Sequence, residues 1–140
     1  MPLPTLECPY CKKQAPLVES AVAYGGRDYG RLVYYCEGCD ASVGCHAGTM
    51  KPLGSMANAE LRRLRVAVHR VFDPIYEKLH AARQRKDPKY SKSKARRDCY
   101  ARLAQRMGMR AEACHIANFD VDQCKRAIEI IRSGNGNSHS

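Results

Sequence analysis

Two C-x-x-C pairs, Cys8-Pro9-Tyr10-Cys11 and Cys36-Glu37-Gly38-Cys39, stand near the start of the chain with residues 12–35 between them. A two-residue spacing lets a tight turn bring both sulfurs toward one point, and two such turns supply the four thiolates that tetrahedral Zn²⁺ accepts. Cys8, Cys11, Cys36 and Cys39 are therefore the expected ligands of one structural zinc ion, which keeps no open position for chemistry. A lone pair of this kind would also suit a redox motif; two pairs that fit one site favour metal. Between the knuckles, residues 17–22 and 31–35 read as short strands, and Tyr24-Gly25-Gly26-Arg27-Asp28-Tyr29-Gly30 carries the glycines of a hairpin turn. Knuckle, hairpin and knuckle describe a zinc ribbon.

The rest of the chain reads as helix. Asn58 is placed to cap a helix whose apolar positions Leu61, Leu64, Val68, Val71 and Phe72 recur at three- and four-residue steps. Asp73-Pro74 reads as a fresh cap with proline at the first helical position, opening a second helix with Ile75, Tyr76 and Leu79 to about residue 83. Ser91 or Ser93 caps a third helix that runs to Met107 and stops at Gly108. Asp120-Val121-Asp122-Gln123 has the form of a capping box opening a last helix with Val121, Cys124, Ala127, Ile128 and Ile131 as its buried stripe. The expected fold is α+β: a zinc ribbon over residues 1–50, then about four helices over 51–132, with 133–140 as a flexible polar tail. The interval between Gly108 and Asp120 is too long for the tight turn of a helix-turn-helix, so no recognition helix is inferred.

Charge points to a partner. Lys and Arg outnumber Asp and Glu by 24 to 14, a formal net charge of +10, which a four-thiolate zinc site lowers to about +8. The excess is clustered: within residues 83–110 eleven basic side chains face only Asp87 and Asp98. On the third helix Lys92, Lys94, Arg96, Arg97, Arg102 and Arg106 suit a phosphate backbone, while Tyr100, Leu103, Ala104 and Met107 form the apolar side. Arg27, flanked by Tyr24 and Tyr29 at the hairpin tip, adds a contact of the kind that holds unpaired bases. A solvated basic face is the bland alternative for the helix, and tyrosines packed on the sheet are the alternative for the tip. Nucleic acid, DNA or RNA, is the expected partner. An acidic host protein is the second, through the same face.

No apolar run of membrane-spanning length and no basic-hydrophobic leader is present, so neither membrane nor secretion is expected and the cytoplasm is the expected compartment. Eight cysteines then suggest metal and buried thiols rather than disulfides. Cys45 and His46 follow the second knuckle; the expectation is a buried thiol and a histidine that hydrogen-bonds the turn, with His46 replacing one cysteine in the site as the alternative. Cys99, Cys114, His115 and Cys124 match no ligand spacing. No nucleophile is paired with a histidine at helical spacing, so the leading expectation is non-enzymatic.

Taken together, CPYC at Cys8, YGGRDYG at Tyr24, CEGC leading into VGCHAGT, PLGSMANAELR at Pro52, VHRVFDP around His69 and CHIANFDVDQC from Cys114 to Cys124 make the chain resemble a family of short zinc-finger-containing proteins of bacteriophages and prophages. That family has no generally established biochemical role. The resemblance spans nearly the whole chain and implies a zinc ribbon and a bacterial host cell. Lys12 departs from the glycine that many such ribbons carry after the first knuckle. His46, His69, Asp73, His115 and Asp120 lie inside the shared motifs, so a metal-dependent nuclease built from them is a further alternative.

Overall fold

The computed structural model describes residues 3–26 and 30–136, with side chains to 133. The chain divides into two compact units, residues 1–62 and 63–140. Among the described residues no helix is long and apolar enough to cross a membrane.

The first unit is a four-stranded antiparallel sheet in the order β1-β2-β3-β4, from β1 (Thr5–Glu7), β2 (Gln14–Glu19), β3 (Leu32–Cys36) and β4 (Ala41–Gly44). Alternation along the strands sends one set of side chains inward. Ala15 and Leu17 of β2, Tyr34 and Cys36 of β3, and Ala41 and Val43 of β4 join Cys8, Cys45 and Met56 in one core. The strand-forming residues at 5–7 and 41–44 extend the sheet on both sides of the hairpin read from the sequence. Past β4 the chain folds back: Ser42 pairs with Ala57 and Cys45 with Pro52, so the irregular stretch 46–57 covers the β4 edge.

The hairpin connection differs from the expectation. Residues 20–23 leave the sheet as a short helical turn, α1 (Ser20–Ala23), with Ser20 buried and Val22 62 % exposed. The strand read over 17–22 therefore ends at Glu19. Gly25 (φ 62°) and Gly26 (φ 91°) then take left-handed conformations that a side chain would strain. Arg27 and Tyr29 lie outside the described residues.

After the sheet come α2 (Ala59–Gln84), α3 (Lys92–Met107), single-turn 3₁₀ helices at Ala111–Ala113 and Ile116–Asn118, and α4 (Val121–Gly136). The class is α+β, as the residue pattern implies. The unit boundary falls in the first turn of α2. Asn58 caps that helix through Oδ1, which accepts from the Leu61 amide at 3.0 Å. The break expected at Asp73-Pro74 does not occur, and Pro74 lies inside one continuous helix. Its apolar row runs through the proline, from Val68 and Phe72 to Tyr76, and the Phe72 and Tyr76 rings are 5.8 Å apart. Both Pro74 and Arg70 are exposed, so water can take the carbonyl that the proline leaves without a donor. Asp73 does not cap; its carboxylate meets His69 Nδ1 at 3.3 Å.

Ser91 Oγ accepts from the Lys94 amide at 3.2 Å to start α3, and Gly108 (φ 70°) ends it in the left-handed conformation. The capping box of α4 is reciprocal: the Gln123 amide donates to Asp120 Oδ1 at 2.8 Å and the Asp120 amide to Gln123 Oε1 at 2.9 Å. The core of this unit gathers Val68, Phe72, Leu103, Ala104, Met107, Cys114, Ile116, Phe119, Cys124, Ala127 and Ile131. Residues 133–136, assigned to the tail from the sequence, continue α4, while 137–140 lie outside the described residues.

Candidate metal centre and basic surface

Each knuckle is a tight turn closed by its own backbone. The Cys8 amide donates to the Lys13 carbonyl at 2.8 Å and the Lys12 amide to the Cys8 carbonyl at 2.8 Å; at the second knuckle the Asp40 amide donates to the Glu37 carbonyl at 3.3 Å. The residue after each second cysteine sits in the left-handed region, Lys12 at φ 66° and Asp40 at φ 49°. Lys12 thus adopts the conformation glycine favours here without being glycine.

The turns bring Cys8, Cys11, Cys36 and Cys39 together, with all four sulfurs within 4.8 Å of one another. Cys11 and Cys36 Sγ are 3.7 Å apart. A tetrahedral site with Zn–S bonds of about 2.3 Å has its sulfurs about 3.8 Å apart, so the cluster has the dimensions of a zinc cage. Its electrostatics suit a cation. The Lys13 amide pulls Cys11 down to about 7, whereas burial and then the neighbouring thiols push Cys39 up to about 12. Four sulfurs this close cannot all ionise unaided, and a divalent ion removes the conflict. Bound there, zinc supplies a cross-link between the two knuckles and fills all its positions with thiolate. The four cysteines form the site of one structural zinc ion.

Both knuckles are tethered to the start of α2. Tyr10, inside the first, accepts the Asn58 amide on its hydroxyl at 3.1 Å. Arg62 Nη1 donates to the Asp40 carbonyl at 2.7 Å and the Ala57 carbonyl at 2.9 Å, and Nη2 meets Asp40 Oδ2 at 3.1 Å. From sequence, Arg62 falls merely off the apolar stripe; its spacing from the knuckle carries no signal of this bond.

Cys45 is fully buried and burial raises its thiol, in keeping with a packed hydrophobe. The His46 side chain is exposed; its carbonyl accepts from the Thr49 amide and hydroxyl. Among the described residues no second group of three metal-binding side chains occurs, and Cys114 and Cys124 are buried in the helical unit. Of the nuclease candidates, His69 pairs with Asp73, His115 packs edge-on to Tyr100 at 5.4 Å, and Asp120 is a helix cap.

Lys92, Lys94, Arg96, Arg97, Arg102 and Arg106 are all exposed on α3. Asp98 is the acidic group among them: it accepts the Tyr90 hydroxyl at 2.8 Å and meets Arg83 at 3.6 Å and Arg97 Nε at 3.8 Å. Arg83 also lies over the Tyr90 ring at 5.4 Å. Lys94, Arg102 and Arg106 follow one row of the helix at four-residue multiples, interrupted by Asp98.

A family model described as a zinc-finger-containing domain matches residues 4–134. No curated protein and no solved structure matches the chain.

Proposed function

The chain belongs to the zinc-finger-containing domain family, and from that premise we propose that it is a non-enzymatic, phage-type nucleic-acid-binding protein of the bacterial cytoplasm, folded around one zinc ion. The observation that carries this reading is the exposure of all six basic side chains of α3 in a segment where eleven Lys and Arg face two carboxylates. Cations held on a rigid helix displace counterions from a polyanion with little ordering cost, and the affinity then falls steeply with salt. The zinc site supports the fold of the first unit. Arg27 at the hairpin tip is part of the proposal, on sequence grounds.

A second reading is an inhibitor or adaptor that binds a host protein. It is favoured by exposed apolar side chains on the first unit, Leu3, Val22, Met50 and Leu53. An affinity pull-down from host lysate, with and without nuclease and at two salt concentrations, separates the two. Nucleic acid that is recovered at low salt and released at high salt supports the first reading; one host protein retained in stoichiometric amount after nuclease treatment replaces it with the second.

A further inference from the structure

On the helical unit an aromatic chain passes from α2 to α3 and on to the loop before the second 3₁₀ turn. The Phe72 ring lies 4.4 Å from Tyr100, tilted by 37°, and Tyr100 meets His115 edge-on at 5.4 Å. One turn after Phe72, Tyr76 has the Arg96 guanidinium over its ring at 5.7 Å. Tyr76 and Tyr100 are half-buried, Arg96 and His115 exposed. Among the described residues Arg96 makes no ion pair. Arg83 is a useful contrast, since it too covers a tyrosine, but that tyrosine is buried and Asp98 meets the guanidinium at 3.6 Å.

A guanidinium laid on an aromatic ring keeps its second face open, and that face is flat, cationic and weakly hydrated. Purines and pyrimidines stack on such planes when their own faces are free. In a duplex those faces are covered by the neighbouring base pairs. Resting on the nucleic-acid reading above, we infer that Arg96, backed by Tyr76 and one turn before Tyr100 on α3, is a stacking platform for an unpaired base, so that the ligand is single-stranded nucleic acid. Lys92, one turn before Arg96 on the same side of α3, is placed to meet the adjoining phosphate. The ring beneath Arg96 restricts the guanidinium before any ligand arrives, which lowers the ordering cost of binding.

The test is fluorescence anisotropy with a short labelled oligonucleotide, alone and annealed to its complement, using zinc-loaded full-length protein. Arg96→Lys keeps the charge and loses the plane; Tyr76→Leu removes the backing ring. The wild type should prefer the single strand, and each variant should weaken that binding about fivefold or more. Duplex binding, carried by charge that lysine keeps, should fall by clearly less than single-strand binding in Arg96→Lys. Single-strand affinity that survives Arg96→Lys, with helicity and zinc content intact, overturns the platform while leaving the basic surface standing, as does a wild-type preference for duplex. If neither oligonucleotide binds even at low salt, the nucleic-acid reading fails and the platform with it.

Discussion

Arg62 donates to both the backbone carbonyl and the carboxylate of Asp40, at 2.7 and 3.1 Å, and so holds the left-handed residue that closes the second zinc knuckle. A planar fork can satisfy those acceptors together with the Ala57 carbonyl, at 2.9 Å; a lysine ammonium cannot reach all three in one geometry. The metal centre therefore depends on a side chain from the first turn of a helix as well as on its own thiols.

Arg62→Ala should lower the stability of the first unit by about 1–2 kcal/mol, the guanidinium being partly solvated. Arg62→Lys should recover only part of this. Urea unfolding followed by zinc release is the check, and a midpoint unchanged in the alanine variant would show that the Arg62–Asp40 bonds contribute nothing.

Lys12 and Asp40 share a backbone conformation but not a role. Lys12→Gly should relieve the left-handed strain and stabilise by about 0.5 kcal/mol, after the greater freedom glycine gives the unfolded chain. Asp40→Gly gains the same relief and loses the carboxylate that Arg62 holds, so it should be neutral or destabilising. Thermal melts of the two variants should move apart; a shared direction would contradict the assignment.

Cys36→Ser should remove the zinc and with it the ordered ribbon, because metal binding and folding are one equilibrium in such sites. Elemental analysis gives the metal content directly. Zinc retained at one ion per chain would mean that the ion sits elsewhere.

The two classes of thiol respond to pH with opposite signs. Zinc binding needs thiolates, so the ribbon should lose its metal as pH falls. Cys114 and Cys124 are buried in the helical unit, and burial raises both thiols above 9.0. A group raised in the folded state contributes stability fully below its unfolded value and loses it as pH climbs toward the folded one, since above about pH 9 the unfolded chain binds fewer protons. Stability of the helical unit should decline from about pH 9 upward, and Cys124→Ala, less stable at neutral pH, should show a shallower decline. A pH-independent midpoint through about pH 10.5 would contradict the burial argument.

Local chemistry made much of this fold legible in advance. The knuckle spacing, the Asn58 and Ser91 caps, the Gly108 stop and the Asp120–Gln123 box each depend on residues within a few positions of one another. What escaped depends on tertiary context. Asp73-Pro74 has the form of a helix start, yet the row Phe72–Tyr76 and the bond between His69 and Asp73 keep the helix running past it. The strand read over 17–22 ends at Glu19, where residues 20–23 turn away into a short helix, and Arg62 reaches a knuckle far off in sequence. The aromatic chain beside Arg96 joins residues from α2, α3 and a loop, with no motif to link them.

The central claim is that the exposed cations of α3 hold a polyanion. It is tested most directly by measuring oligonucleotide affinity against salt for the wild type and for Arg97→Glu, Arg102→Glu and Arg106→Glu combined. The wild type should show a steep linear decline of log affinity with log salt. The triple variant, with helicity and zinc content intact, should bind more weakly and with a slope shallower by about 0.7 for each phosphate of a single strand that is no longer neutralised. An unchanged affinity and slope would contradict the claim and remove α3 from the interface.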